Sequence, residues 1–430
     1  MTENLEVHLW GQRAGTLAAY TEHHKRKACF YMDREFLRTG YEIAPLRAPL
    51  SGISAMKGLP IYAEMDKRFC GLPSFIADSL PDSWGNRVFS AWAKSRGLSS
   101  RQISVLDRLS FIGRRGMGAL EFEPHVDRNG DAAFRVDLNA LYGLTHDILA
   151  GRDSACVPDT AYDMILRVGS SAAGKHPKAL LNINPETRDC WSGQAPPPAP
   201  EYIPCLVKLD EHSSVPYTAI EYSYYLMAQH AGLGMEESVL IEDEGGRHFV
   251  TKRFDRNGGE KVHVQTLCAM NPSADCYEDL FRTATSLGVP HSESKQLFLS
   301  MALNVITGNV DDHNRNYSFL MRKDGVWHVS PIYDYTFTVD PSSPSYVNVH
   351  SMSVNGKNRD VSAKDMLEVA SEYNIKDAPS LIGKAISAAR EYSSFAETAG
   401  VSKEWREFIE GEIEHRLQSL ESSRTIRRGR

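Results

Sequence analysis

Cysteine pairs of the Cys-x-x-Cys kind are missing from this chain of 430 residues, although it holds seven cysteines, at 29, 70, 156, 190, 205, 268 and 276. Scattered and odd in number, they exclude a zinc site built from closely spaced thiolates and argue against a disulfide framework. They read as reduced thiols, the state expected in a cytoplasm. The fifteen histidines never form His-Glu-x-x-His, which removes the zinc-peptidase helix. No run is apolar for long enough to cross a bilayer, and Met1-Thr2-Glu3-Asn4-Leu5 starts no basic-then-apolar leader. Neither membrane insertion nor secretion is therefore expected. There is no internal repeat. Positive charge is also in short supply: at a net −7 the chain is not expected to grip DNA by itself, because that binding rests on Lys and Arg neutralising phosphates. Any DNA contact would come through a partner. The basic end from Arg424 to Arg430 reads as a solvated terminus, and His23-His24-Lys25-Arg26-Lys27 as an exposed turn.

The residues that are present suffice for a soluble globular protein. With 42% hydrophobic and 24% charged residues the chain can bury two or three cores of ordinary domain size. Alternation at Leu5, Val7 and Leu9, again at 17–20 and at 28–32, predicts a small antiparallel sheet. Helices are expected over 76–97 and 99–109, then a closing strand over 116–122. Residues 124–158 hold a polar turn and one short helix, so a boundary is expected near 123–155. From about 364 to 423 the chain reads as helical, with Trp405, Phe408, Ile409, Ile413 and Leu417 on the core face of its last helix.

The most informative run is Gly308-Asn309-Val310-Asp311-Asp312-His313-Asn314-Arg315-Asn316, followed by Pro331-Ile332-Tyr333-Asp334. Phosphoryl transfer from ATP needs a carboxylate to orient or take the acceptor hydroxyl proton. It also needs, close by, an amide oxygen and a second carboxylate to hold magnesium on the phosphates. Asp311 fits the first role, Asn316 and Asp334 the others. Asp and Asn also dominate turns, so the run taken alone is equally a capped turn. Its surroundings favour the catalytic reading. Leu297, Phe298, Met301, Ala302, Val305 and Ile306 predict a buried helix over 293–307, stopped by Gly308. Residues 317–321 and 326–329 predict a hairpin reversing at Asp324-Gly325, from whose second strand Asp334 emerges.

A triphosphate needs its own cradle. Ser170-Ser171-Ala172-Ala173-Gly174-Lys175-His176-Pro177-Lys178 is a run of small residues through which backbone amides can approach phosphate oxygens. It is not a Walker loop, since Pro177 follows where that motif continues into a helix. Taken alone it is as readily a surface turn. Lys208, inside the apolar strand 203–209, is costly there without an anionic partner, which nucleotide phosphate would supply; a solvent-facing lysine on an edge strand is the plainer reading. Glu221, on a helix over 217–232, could pair with it or simply face solvent. A second hairpin, 238–242 with 248–251, runs into Lys252-Arg253-Phe254-Asp255-Arg256. In a two-lobed kinase this is where adenine meets the hinge, which assigns Arg253 and Phe254 to the nucleotide pocket. The Pro-rich connector 184–200 is expected to form no regular element and to move near the nucleotide.

Taken in order, these segments resemble the HipA-type serine/threonine protein kinases, toxins of bacterial toxin–antitoxin pairs. The resemblance covers nearly the whole chain. It is carried by Gly-Gln-Arg-Ala-Gly-Thr-Leu at 11–17, Phe75 to Gly85, Ile112 to Leu120, the small-residue loop ending in Pro177-Lys178, Val207-Lys208-Leu209, Lys252 to Arg256, and the Asp311 and Asp334 motifs. It implies an α+β, two-lobed protein-kinase-like fold: a β-rich N-terminal subdomain over 1–123, a small kinase lobe with phosphate loop and hinge over 124–255, and a mostly helical lobe over 256–430. It implies ATP and Mg2+ as cofactors. Ser170, Ser171, Ala172, Ala173, Gly174, Lys178, Lys208, Arg253, Phe254 and His313 would be nucleotide-binding, Asp311 catalytic, and Asn316 and Asp334 metal-binding. It further implies self-silencing by autophosphorylation in the phosphate loop, at Ser171 counted back from Lys178, with Ser170 as its competitor. Phosphoserine adds about −1.5 to −2 charges and could not stay beside ATP phosphates. A helix-turn-helix antitoxin is the implied partner, with DNA contacted only through it. A component of translation such as an aminoacyl-tRNA synthetase is the implied substrate. Asp312 departs from the pattern, standing where relatives often carry a small residue, and the five-residue spacing to Asn316 favours Asp311 as the catalytic group. Two other readings stand beside this one. A small-molecule phosphotransferase would show a compact acceptor pocket and no self-labelling; a weakly catalytic co-repressor module would bind ATP poorly.

Overall fold

The computed structural model describes residues 2–52, 57–95, 97, 103–125, 133–150, 159–169, 174, 176–211, 213–244, 246–344 and 348–425. The chain divides into two compact units, one of residues 1–211, 241–265 and 320–325, the other of 212–240, 266–319 and 326–430. The fold is α+β, as the motif order implied.

The first unit opens with β1 (Asn4–Leu9), β2 (Gln12–Glu22) and β3 (Lys25–Met32), joined later by β4 (Leu120–Glu123) in a four-stranded sheet of order β3-β2-β1-β4. The period-2 alternation of Leu5, Val7 and Leu9 is what buries them on one face. The expected turn at 23–27 narrows to His23 and His24, both at positive φ, because Lys25, Arg26 and Lys27 pair with Glu22, Thr21 and Tyr20.

The helix expected over 76–97 is two helices, α1 (Ser74–Ala77) and α2 (Ser83–Ser95). Pro81 lies between them and cannot donate a helical hydrogen bond. The next, α3 (Val105–Ile112), begins after Ser104, which forms a capping box with Asp107; residues 99–102 of the expected helix lie outside the described residues. The helix between 124 and 158 is α4 (Leu138–Leu149), with Asp137 as N-cap, and α5 (Asp159–Gly169) comes next.

A five-stranded sheet of order β6-β5-β7-β9-β8 is built from β5 (Lys178–Ile183), β6 (Cys190–Ser192), β7 (Ile203–Lys208), β8 (Ser238–Asp243) and β9 (Gly246–Lys252). One face packs on α2, α4 and α5 through Trp84, Val88, Leu141, Leu144, Ile165, Val168, Leu181 and Val207. The connector over 184–200 departs from expectation at 190–192, which form β6 paired to β5, while 193–200 form no regular element; Asp189 accepts hydrogen bonds from Trp191 Nε1 (3.0 Å) and Tyr202 Oη (2.7 Å). The proline cluster from Pro196 to Pro200 lies beyond β6, and Asp189 anchors the segment before it.

β10 (Arg256–Asn257) and β11 (Glu260–Lys261) form a short ribbon, followed by β12 (His263–Thr266).

The second unit is helical. It comprises α6 (Tyr217–Ala231), α7 (Leu267–Met270), α8 (Tyr277–Ser286), α9 (His291–Thr307), α10 (Ala363–Glu372), α11 (Ala378–Arg390), α12 (Tyr392–Thr398) and α13 (Lys403–Thr425). Every residue of α9 from Leu297 to Thr307 is buried, and the helix packs against α8, α11 and α13. A helix apolar all round belongs at a core's centre, so the loop leaving its C-terminal end is held from beneath. It ends at Gly308, whose φ of +77° is the left-handed C-terminal cap. A Cβ there would also press on Phe337, Arg416 and Val339 at 3.2–3.4 Å. The hairpin after the loop is β13 (Ser318–Met321) and β14 (Trp327–Val329). Asp334 lies beyond the end of β14, not on it.

Candidate active site

In the second unit the chain leaves α9 through Gly308 and forms the loop that carries Asp311. Thr338 Oγ1 accepts from the backbone N–H of Val310 (2.7 Å) and of Asp311 (3.0 Å), fixing the peptide plane that aims Asp311. The Asp311 side chain is 64% exposed, whereas that of its neighbour Asp312 is fully buried. The two adjacent carboxylates thus occupy opposite environments. His313 Nε2 lies 3.8 Å from Asp311 Oδ1. Asn316 Nδ2 donates to the Asp311 carbonyl at 2.8 Å, so its amide is turned with Oδ1 away from that carbonyl. Asn316 and Asp334 line one small cleft, together with Asn304, Asn309, Asp312 and Tyr317. Asp334 has a φ of +51°, a left-handed backbone that Asp tolerates better than most residues. Asn309 Nδ2 reaches its carbonyl at 3.5 Å.

A buried polar scaffold underlies the loop. Tyr277 Oη donates to Asp312 Oδ2 at 2.7 Å, and Asn304 Nδ2 donates to Tyr277 Oη and Tyr317 Oη, both at 2.9 Å. Burial, then the charge of Asp312, pushes both phenols well above their ordinary range, so they stay protonated donors. The same aspartate accepts from His350 Nδ1 (2.9 Å) and Ser351 N–H (2.8 Å). Reading the sequence missed Tyr277, Asn304, Thr338 and His350. Only Asn309, inside the quoted run, offered a signal; the others lie in segments with no motif of their own.

In the first unit the antiparallel register of β5 and β7 sets Lys178 directly opposite Lys208. Lys178 is buried and Lys208 half-buried. An ideal Cβ on Gly174 would fall 1.9 Å from Lys178 Nζ, and the φ of +120° there is one that L side chains rarely adopt. Trp84 Nε1 donates to the Lys178 carbonyl at 2.9 Å, and Trp84 N–H to the Gly174 carbonyl at 3.2 Å. The other residues expected to line the phosphates, Ser170, Ser171, Ala172 and Ala173, lie outside the described residues. Glu221 is buried on α6 of the second unit.

Arg253 turns its side chain inward. Its guanidinium donates to Asp255 through Nε and Nη2, both 2.8 Å, and to the Gly193 carbonyl at 3.0 Å. Arg256 Nη1 meets the same carboxylate at 2.5 Å, and Gly118 N–H donates to it at 2.8 Å. Burial would raise the Asp255 pKa, but the two guanidiniums outweigh it and hold the carboxyl well below its usual range. The Lys252–Arg256 and Ile112–Leu120 motifs are therefore two sides of one buried charge cluster. Phe254, between the clustered residues, is half-buried.

Comparison with known proteins bears on both units. The model of the HipA N-terminal domain matches residues 5–123, and that of the HipA-like C-terminal domain matches residues 170–409. Among solved structures, the chain is similar to HipA of Shewanella oneidensis MR-1, determined with HipB and operator DNA. The TM-score is 0.64, with 16% identity and 97% of each chain covered. A Haemophilus influenzae protein named only provisionally as a kinase is 25% identical over 190 residues, which are 39% of this chain and 52% of that protein. The chain thus spans about half the length of that curated relative.

Proposed function

The chain belongs to the HipA family, and from that premise we propose that it is a serine/threonine protein kinase using ATP and magnesium, the toxin of a toxin–antitoxin pair. The observation that carries this reading is the exposed carboxylate of Asp311 on a loop whose Asn316, bonded to the Asp311 carbonyl, lines one small cleft with Asp334. A carboxamide oxygen and a carboxylate are hard oxygen donors, the set magnesium prefers. Lys178 and Lys208, opposite each other in the β5–β7 register, are likewise suited to a polyanion. When bound, Mg-ATP supplies the transferable phosphoryl group, its charge shared with the metal.

The chain's own residues do the rest. Asp311 accepts the hydrogen bond of the acceptor hydroxyl and takes its proton as the oxygen bonds to the γ-phosphorus and the bond to ADP breaks. Asn316 and Asp334 would hold the metal, and Lys178, Lys208 and the small-residue loop would hold the phosphates. His313 stands beside Asp311 at the same end. With the Arg253 side chain committed to Asp255, the backbone of Arg253 and Phe254 is what would meet adenine. Autophosphorylation of Ser171, or of Ser170, would silence the enzyme by charge repulsion.

We infer an antitoxin of the HipB kind as partner, since the S. oneidensis HipA was solved with HipB and operator DNA; the negative net charge fits DNA contact only through that partner. The acceptor is a protein of the translation machinery, such as an aminoacyl-tRNA synthetase, in the cytoplasm. No helix among the described residues is long and apolar enough to cross a membrane. The deciding experiment incubates the purified chain with labelled ATP and magnesium, beside Asp311→Ala, and maps the label by mass spectrometry. Label on Ser171 or Ser170 that vanishes in the variant is expected. Intact ATP binding with no label would shift the reading to a small-molecule phosphotransferase, and poor ATP binding to a co-repressor module.

A further inference from the structure

We infer that Asp312 is a positioning residue which aims Asp311 by tying the catalytic loop to the segment at 350–352; this rests on the kinase reading of Asp311. The two side chains are consecutive on a non-helical stretch, where successive side chains diverge. Anchoring one inward therefore turns the other outward, and the exposures are 0% for Asp312 and 64% for Asp311. The Asp312 carboxylate is anchored through both oxygens. Oδ2 accepts from Tyr277 Oη (2.7 Å) and His350 Nδ1 (2.9 Å), and Oδ1 from Ser351 N–H (2.8 Å), with Met352 N–H at 3.5 Å. Ser351 closes the same joint from its other side, its N–H and Oγ meeting the Val310 carbonyl at 3.0 and 3.2 Å. The peptide preceding Asp311 is thus held by Ser351 at its start and by Thr338 at its N–H, while the residue after Asp311 is fixed by a buried carboxylate. A carboxylate so enclosed is conformationally costly to move, which is what holding a general base to within a fraction of an ångström requires.

The test compares the full chain with Asp312→Asn, His350→Ala and Asp365→Asn. Asp365 is a buried carboxylate in the same unit that completes the capping box of α10 and bonds Asn355 and Lys357, all outside residues 309–316. Self-labelling from labelled ATP is measured at saturating nucleotide, along with the ATP concentration for half-maximal rate. Hydrogen exchange is monitored at 309–316 and 351–352. Asp312→Asn is expected to slow labelling at saturation about tenfold or more while half-saturation stays within about twofold. Exchange should quicken at 351–352 and in the loop, with α9 unchanged; His350→Ala should do the same more weakly. Asp365→Asn should lower the melting temperature and leave the labelling rate within about twofold. Labelling by Asp312→Asn at the wild-type rate, or a loss no greater than that of Asp365→Asn at equal melting temperature, overturns the inference. If the wild-type chain transfers no phosphate, the kinase reading fails by itself. Unchanged exchange in Asp312→Asn then overturns the tie, and exchange quickened only at these segments upholds it.

Discussion

Lys178 and Lys208 face each other across β5 and β7 at the same register position. Like charges directly opposite on adjacent strands destabilise a sheet by roughly 0.2–1 kcal/mol, a cost that a polyanion would reverse. Lys208→Met is therefore expected to change stability without ligand by no more than about 1 kcal/mol. It should also abolish most of the melting-temperature rise expected of the parent chain with Mg-ATP. Thermal denaturation with and without nucleotide checks this. A destabilised variant that keeps the full nucleotide shift would mean that Lys208 serves the fold and not the phosphates.

Asp334 combines a proposed metal-binding carboxylate with a backbone at φ +51°. Both Asp334→Ala and Asp334→Gly remove the carboxylate, and both should lose magnesium-dependent labelling. Only alanine adds a strained left-handed residue, so Asp334→Ala should be less stable than Asp334→Gly by about 1 kcal/mol. Urea midpoints separate the two. Equal midpoints would mean that the turn relaxes on substitution.

How far the sequence speaks depends on whether the signal is local. The buried helix before Gly308 was legible because an apolar run with a glycine stop carries its own periodicity, and the two hairpins because their turns lie within a few residues of both strands. Helix ends were less legible: Pro81 overrode a run of helical spacing, and the Ser104–Asp107 capping box sets the start of α3. β6 could not be read from 190–192 because its pairing is specified by β5 and by the anchor at Asp189. At the site, the spacing of Asp311 to Asn316 was visible. The environment separating Asp311 from Asp312 was not, for it depends on Tyr277, 35 residues before Asp312, and His350, 38 after it. Arg253 is the sharpest case: a motif position was evident, but the inward turn of its side chain depends on Asp255 and on the carbonyl of Gly193.

Asp107 is expected to make the first unit acid-sensitive. Burial opposes its charge, but hydrogen bonds from Thr2 and Ser104 win, and the carboxyl is lowered from 3.8 to about 2. A folded pKa below the unfolded one contributes stability that is fully present above about pH 4 and is lost as pH falls towards about 2. Asp107→Asn should therefore be less stable than the parent chain at pH 6, and that deficit should shrink at pH 3. Urea midpoints at the two pH values check it. A deficit that persists undiminished at pH 3 would assign the effect to helix capping geometry and not to the charge.

Asp255 presents the opposite situation, a carboxylate with no solvent exposure between two guanidiniums. Burying three charges gains little net stability, yet removing one partner leaves the others uncompensated, which costs about 3–5 kcal/mol. Asp255→Asn would strand Arg253 and Arg256, the second already depressed to about 10 by burial and by its neighbour Arg253. It would also weaken the bond from Gly118 N–H that fastens the 112–120 segment. The expected result is a loss of about 3–5 kcal/mol in urea denaturation, with the nucleotide-dependent melting shift retained by whatever fraction stays folded. If Asp255→Asn instead left stability within about 1 kcal/mol and removed the nucleotide shift, the cluster would belong to the nucleotide pocket. The inward turn of Arg253 would then have to reverse on binding.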